Sequence, residues 1–221
     1  MPLIRRFLQL TTVGAATGTA GWMWYTRNIH FVPFDATSPD FTSPISKRLN
    51  PSLNKPSCID DATRSVPLSK LKTTDIAELT RDYCRGVWGG LGFEIQRREL
   101  ERRHRHKEGK ESQLWDVKDL KESEYPVGTR IADHFEVVEH TPDKVVIRCG
   151  DSPDVPEHRA SDGIFSLEVA IEGDVATFHM KSIFFNSLPN ASYNQLPWHI
   201  KWAHMEYDKL LLETAVRSLL R

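Results

Sequence analysis

Between Ile131 and Phe185 the chain twice repeats a strand-like run, a turn and a second strand-like run, and this pattern constrains its fold most. Ile131 to Glu139 and Val145 to Cys149 are rich in β-branched residues and flank His140-Thr141-Pro142-Asp143, a turn composition. Ile164 to Ile171 and Val175 to Phe185 flank Glu172-Gly173-Asp174, whose glycine permits the positive φ of a tight connection. Two successive hairpins predict an antiparallel sheet of about four strands. The polar stretch Asp151 to Asp162 between them, with Pro153 and Pro156, reads as a loop.

One face of such a sheet has to be covered. Pro197 is placed to start a helix running to Leu220, with Trp198, Trp202, Met205, Leu212, Val216 and Leu219 on one side. Ile200, Ala203, Tyr207, Leu211 and Thr214 line another side, so this helix is expected to be buried on more than one face. Earlier, Thr74 or Asp75 offers an N-cap for a helix with an apolar stripe at Ile76, Leu79, Tyr83 and Val87. That stripe runs into Gly86-Val87-Trp88-Gly89-Gly90-Leu91-Gly92, where four glycines in seven residues imply a bend or a close backbone approach. The cluster follows a helix and lacks a Lys-Ser/Thr closure, so it is not a phosphate loop. Phe93 to His106 resumes as a charged helix with Glu94–Arg98, Glu99–Arg103 and Glu101–Arg105 four residues apart.

The expected architecture is therefore α+β, an antiparallel sheet packed by a long C-terminal helix, similar to helix-grip and cyclase-like folds. The domain spans residues 73–221. Residues 29–72, carrying Pro39, Pro44, Pro51, Pro56 and Pro67, read as a Pro-rich linker over its surface, and residues 1–28 as a hydrophobic anchor or targeting segment. From Phe7 to Tyr25 no residue is charged, a length that spans a bilayer core, and Trp22, Trp24 and Tyr25 suit a membrane interface. A single-pass anchor, a cleaved secretory signal and a mitochondrial targeting segment all fit this stretch; an endomembrane location is the favoured expectation. Asn190-Ala191-Ser192 is a glycosylation sequon for a lumenal domain.

With 29 Lys+Arg against 30 Asp+Glu, net charge −1, the chain has no global field to draw it to nucleic acid. The basic run Arg97, Arg98, Arg102, Arg103, Arg105, Lys107 and Lys110 is interleaved with glutamates and reads as a solvated face. Cys58, Cys84 and Cys149 are far apart, which suits buried apolar residues better than a disulfide framework.

For chemistry, Asp133 and His134 lead a strand on which alternation sets His134, Glu136 and Val138 opposite Asp133, Phe135, Val137 and Glu139. A carboxylate beside an imidazole can move protons near neutrality, and His179 is a second candidate. His199 and His204 are five apart on the final helix, unlike a helical metal pair, so neither metal nor cofactor is expected. Arg148, Asp151, Arg159 and Asp162 bracket the loop between hairpins, as cavity-mouth residues or as structural ion pairs.

The segments Phe31-Val32-Pro33-Phe34-Asp35, Gly86-Val87-Trp88-Gly89-Gly90, Asp133 to Val138 and Arg148 to Pro153 resemble a group of small, uncharacterised fungal proteins, some encoded beside secondary-metabolite genes. The resemblance covers residues 31–221 and implies a pathway role without naming catalytic residues. With the helix-grip analogy, it implies a tethered protein that binds or converts an apolar small molecule, by cyclase- or isomerase-like acid–base chemistry if catalytic. The expected pocket lining is Trp198, Trp202, Phe165, Phe178 and Phe184, with Asp133, His134 and His179 as acid–base groups. The competing expectation is a non-catalytic accessory protein that docks onto a membrane enzyme through an exposed apolar patch.

Overall fold

The structure is a computed structural model that describes residues 17–221. Its centre is an antiparallel sheet of seven strands among the described residues, where hairpin counting predicted about four. The strands are β1 (His30–Phe31), β2 (Cys58–Pro67), β3 (Arg130–Ile131), β4 (Phe135–His140), β5 (Lys144–Gly150), β6 (Asp162–Glu172) and β7 (Val175–Phe185), in the order β1-β2-β7-β6-β5-β4-β3. Both expected hairpins are present, and Gly173 has φ +61° at the β6–β7 turn.

The largest departure is β2. Residues 58–67, assigned above to a surface linker, pair along their whole length with β7 and place this segment inside the sheet. Charged residues on both strand faces disguise it, but each is buried and paired within the domain. Cys58, Asp60, Ala62, Arg64 and Val66 alternate toward the C-terminal helix, where Arg64 Nη1 is 3.1 Å from Glu213 Oε2. On the opposite face Asp61 Oδ2 lies 3.0 Å from His179 Nδ1.

The rest of the supposed linker also belongs to the domain. Helices α1 (Pro39–Thr42) and α2 (Pro44–Leu49) cover the outer face of the sheet, where Phe34, Phe41, Ile45 and Leu49 pack with Val146, Ile164, Ile183 and Phe185. Each starts at a proline after a serine whose hydroxyl caps the helix, so the prolines here initiate structure. Lys181 on β7 ties α1 down through Asp40 at 3.2 Å and pairs with Glu168 at 2.7 Å.

The inner face is covered by α3 (Ile76–Trp88), α4 (Leu91–His104), α5 (Val117–Glu122) and α6 (Trp198–Ser218). Asp75 caps α3, its carboxylate accepting from the Glu78 amide at 2.8 Å. The glycine cluster is the crossing of α3 with α6: a Cβ at Gly86 would lie 2.9 Å from the Ala215 backbone. The three Glu–Arg pairs expected along α4 form, while Arg97 turns inward and donates to Trp115 O at 3.0 Å.

Helical backbone over residues 17–25 lies along α6, with Trp22 Nε1 donating to Glu206 at 2.5 Å and Tyr25 bonded to Thr214 at 3.2 Å. Trp22 and Tyr25 thus serve a protein contact, while Trp24 is exposed. Among the described residues no helix is long and apolar enough to cross a membrane; the uncharged stretch before residue 17 lies outside them.

Candidate functional site

Sheet and helices do not close completely on one another. Between the inner face of β5–β7 and helices α3, α4 and α6 lies a cavity of about 490 Å³. Its wall is aromatic, with Trp88 and Phe93 at the α3–α4 junction facing Phe135, Phe165 and Phe184 from the sheet. The rings of Trp88 and Phe135 are 4.7 Å apart and those of Trp88 and Phe93 are 5.0 Å apart, edge to face. The segment after β7, from Ala191 to Pro197, forms the rim. Trp88 Nε1 is buried and has no hydrogen-bond partner among the described residues.

Of the residues proposed from sequence, His134, Phe165 and Phe184 line this cavity. Phe178 shares the inner face of β7 but packs on Tyr83, with ring centroids 5.3 Å apart, six residues along the strand from Phe184 and in the closed core. Trp198 and Trp202 are 80% and 60% exposed, because α6 turns the face bearing them to solvent. His179 points to the outer face, held by Asp61.

Asp133 and His134 do not form an acid–base pair. Ala132 and Asp133 have φ +48° and +58°, a tight turn between β3 and β4 that ends the alternation assumed for this strand. Asp133 is buried, paired with the Lys110 ammonium, 2.8 Å from His104 Nδ1 and 2.7 Å from Ser152 Oγ. Burial opposes its ionisation, but the Lys110 and Ser152 hydrogen bonds and the Lys110 charge outweigh this and hold its carboxyl below the usual range. Arg148 and Asp162 are structural as well, joined at 2.9 and 2.6 Å while Arg148 also donates to Pro156 O and Glu157 O. Asn190 is exposed at the end of its turn, with φ +60°.

The polar floor of the cavity is built from residues that sequence reasoning passed over. His204 and Asp208, one turn apart on α6, both line it, and His204 Nε2 is 3.1 Å from Asp208 Oδ2. The same nitrogen is 3.1 Å from Oδ2 of Asp60, which β2 delivers to the inner face. Cys58, two residues earlier on that face, donates its thiol to Asp60 Oδ2 at 3.6 Å. Phe184 packs its ring 4.9 Å from that of His204. Burial first, then the Asp60 charge and hydrogen bond, hold the Asp208 carboxyl well above the usual carboxylate range. The usable signal was an i, i+4 His–Asp pair on an otherwise apolar helix face; testing His204 only against His199 missed it.

Comparison with known protein families, with curated proteins and with solved structures finds no match to this chain.

Proposed function

We propose that the protein binds an apolar small molecule in the sheet–helix cavity while held at a membrane through the uncharged residues 7–16 that precede the helix packed on α6. The observation that carries the reading is the cavity itself: about 490 Å³, walled by aromatic rings and provided with a few polar groups at its floor, as small-molecule sites are. The element order supports a helix-grip or cyclase-like assembly, with one long strand, consecutive helices, a meander of strands and a C-terminal helix laid across them. The unpartnered Trp88 Nε1 and the His204–Asp208 floor favour a ligand with a polar group on an apolar frame. An apolar metabolite of the kind made by fungal secondary-metabolite genes fits that description and agrees with the resemblance noted above.

The test is to purify the full chain in mild detergent, extract it with organic solvent and analyse the extract by mass spectrometry. About one equivalent of a specific apolar compound is expected, and Ala191→Trp, which plugs the rim without touching the core, should reduce its occupancy at least tenfold. An empty extract from a folded protein that also fails to bind apolar metabolites added back would overturn the reading and leave the docking alternative.

A further inference from the structure

Asp60 and Asp208 are 94% or more buried beneath the cavity floor, and one imidazole, His204, lies within 3.1 Å of both. His204 Nε2, 3.1 Å from both Asp60 Oδ2 and Asp208 Oδ2, carries at most one proton, and Asp208 Oδ2 and Asp60 Oδ1 have no hydrogen-bond partner among the described residues. Two buried carboxylate oxygens without a hydrogen-bond partner among the described residues thus stand beside a thiol and an imidazole.

The distances are those of a metal site. Cys58 Sγ, an Asp60 oxygen and a His204 nitrogen all lie within 4.8 Å of one another. Tetrahedral zinc, with Zn–S near 2.3 Å and Zn–N or Zn–O near 2.0–2.1 Å, places its ligand atoms roughly 3.3–3.6 Å apart. Here Asp60 Oδ2 is 3.6 Å from the sulfur and 3.1 Å from the imidazole nitrogen, so an ion needs only small side-chain movements to be enclosed. A sulfur, a nitrogen and carboxylate oxygens select zinc over magnesium or calcium, which take oxygen ligands.

We propose that Cys58, Asp60 and His204 bind one Zn²⁺ under the cavity floor, with Asp208 as the fourth donor on the cavity side. The fold explains why these residues meet: alternation on β2 turns Cys58 and Asp60 to one face, and a single helical turn of α6 brings His204 and Asp208 down onto them. The ion would neutralise the buried carboxylates and cross-link β2 to α6. The site borders the cavity, but the proposal stands whether or not an apolar ligand occupies that cavity.

The experiment is metal titration of the full chain after stripping with a chelator, using Zn²⁺ and then Co²⁺ as a spectroscopic substitute. One Zn²⁺ per chain, a higher melting temperature with Zn²⁺, and a thiolate-to-cobalt charge-transfer band are expected. Cys58→Ser should abolish the band, and Asp60→Asn and His204→Gln should each weaken Zn²⁺ binding at least tenfold, since loss of even an outer-shell partner costs about that much. No saturable binding, or binding unchanged in these variants, would overturn the site. Should a variant not fold, the wild-type cobalt spectrum decides: Cys58 is the only cysteine in such a cluster among the described residues, so a missing thiolate band refutes the proposal.

Discussion

At the scale of single residues, buried charge is the feature that most separates this core from an ordinary one. Arg64 and Glu213 join β2 to α6, both buried, and Arg217 supports Glu213 at 2.5 Å. Removing one partner leaves an uncompensated charge, so Glu213→Gln should cost about 3–5 kcal/mol in urea unfolding, while replacing both by apolar residues should recover most of it. The Lys110–Asp133 pair sets an acid limit. Asp133 ionises below the ordinary carboxylate range in the fold, so its contribution is complete above that range and is lost as pH falls through the folded value. The unfolding free energy should therefore decline below about pH 4 in the wild type, whereas Asp133→Asn should remove that part of the slope and cost about 2 kcal/mol at neutral pH. Lys110 also meets Asp154, which limits the loss. Neither Arg64–Glu213 nor Lys110–Asp133 was legible in the sequence, because each joins residues far apart in the chain. The α4 pairs were legible because helical spacing alone places them.

Among the elements, whatever has local periodicity or turn chemistry could be read: both hairpins, the Asp75-capped helix α3, the charged helix α4 and the long helix α6. Strand β2 could not, because its alternation is masked by Asp60, Asp61 and Arg64, whose partners come from α6 and β7. Its neighbouring prolines also pointed to a linker, although two of them open short helices on the outer face. The glycine cluster was read correctly as a close approach, and the structure says of what. At Gly86 helix propensity favours alanine by about 1 kcal/mol. The added Cβ would lie 2.8 Å from Ser218 Oγ and 2.9 Å from the Ala215 backbone, and overpacking of that kind costs about 1–3 kcal/mol. Gly86→Ala should thus be destabilising on balance, by up to about 2 kcal/mol in urea unfolding. An unchanged or raised stability would mean that α6 leans aside without cost and that the crossing does not require glycine.

The whole molecule has a direction. Trp22 meets Glu206 and Tyr25 meets Thr214, so the backbone of residues 17–25 runs parallel to α6, and residue 17 lies toward the Trp198 end of that helix. The cavity rim at Leu196 and Pro197 adjoins the same end, where Trp198, Ile200 and Trp202 are exposed. Residue 17 therefore lies on the side where the cavity opens and exposed indoles stand. Indoles favour the membrane interface, and a rim held against lipid would let an apolar ligand enter the cavity without crossing water. With the full chain reconstituted in vesicles, brominated lipid should quench tryptophan fluorescence, and Trp198→Ala with Trp202→Ala should remove a measurable share of that quenching. Transfer of an apolar ligand from vesicle to protein should also slow in the double variant, by about tenfold if each indole contributes even half of a buried side chain's roughly 1.5–3 kcal/mol. Unchanged quenching and transfer would mean that the rim faces water, and the exposed indoles would then be better read as a surface for a protein partner.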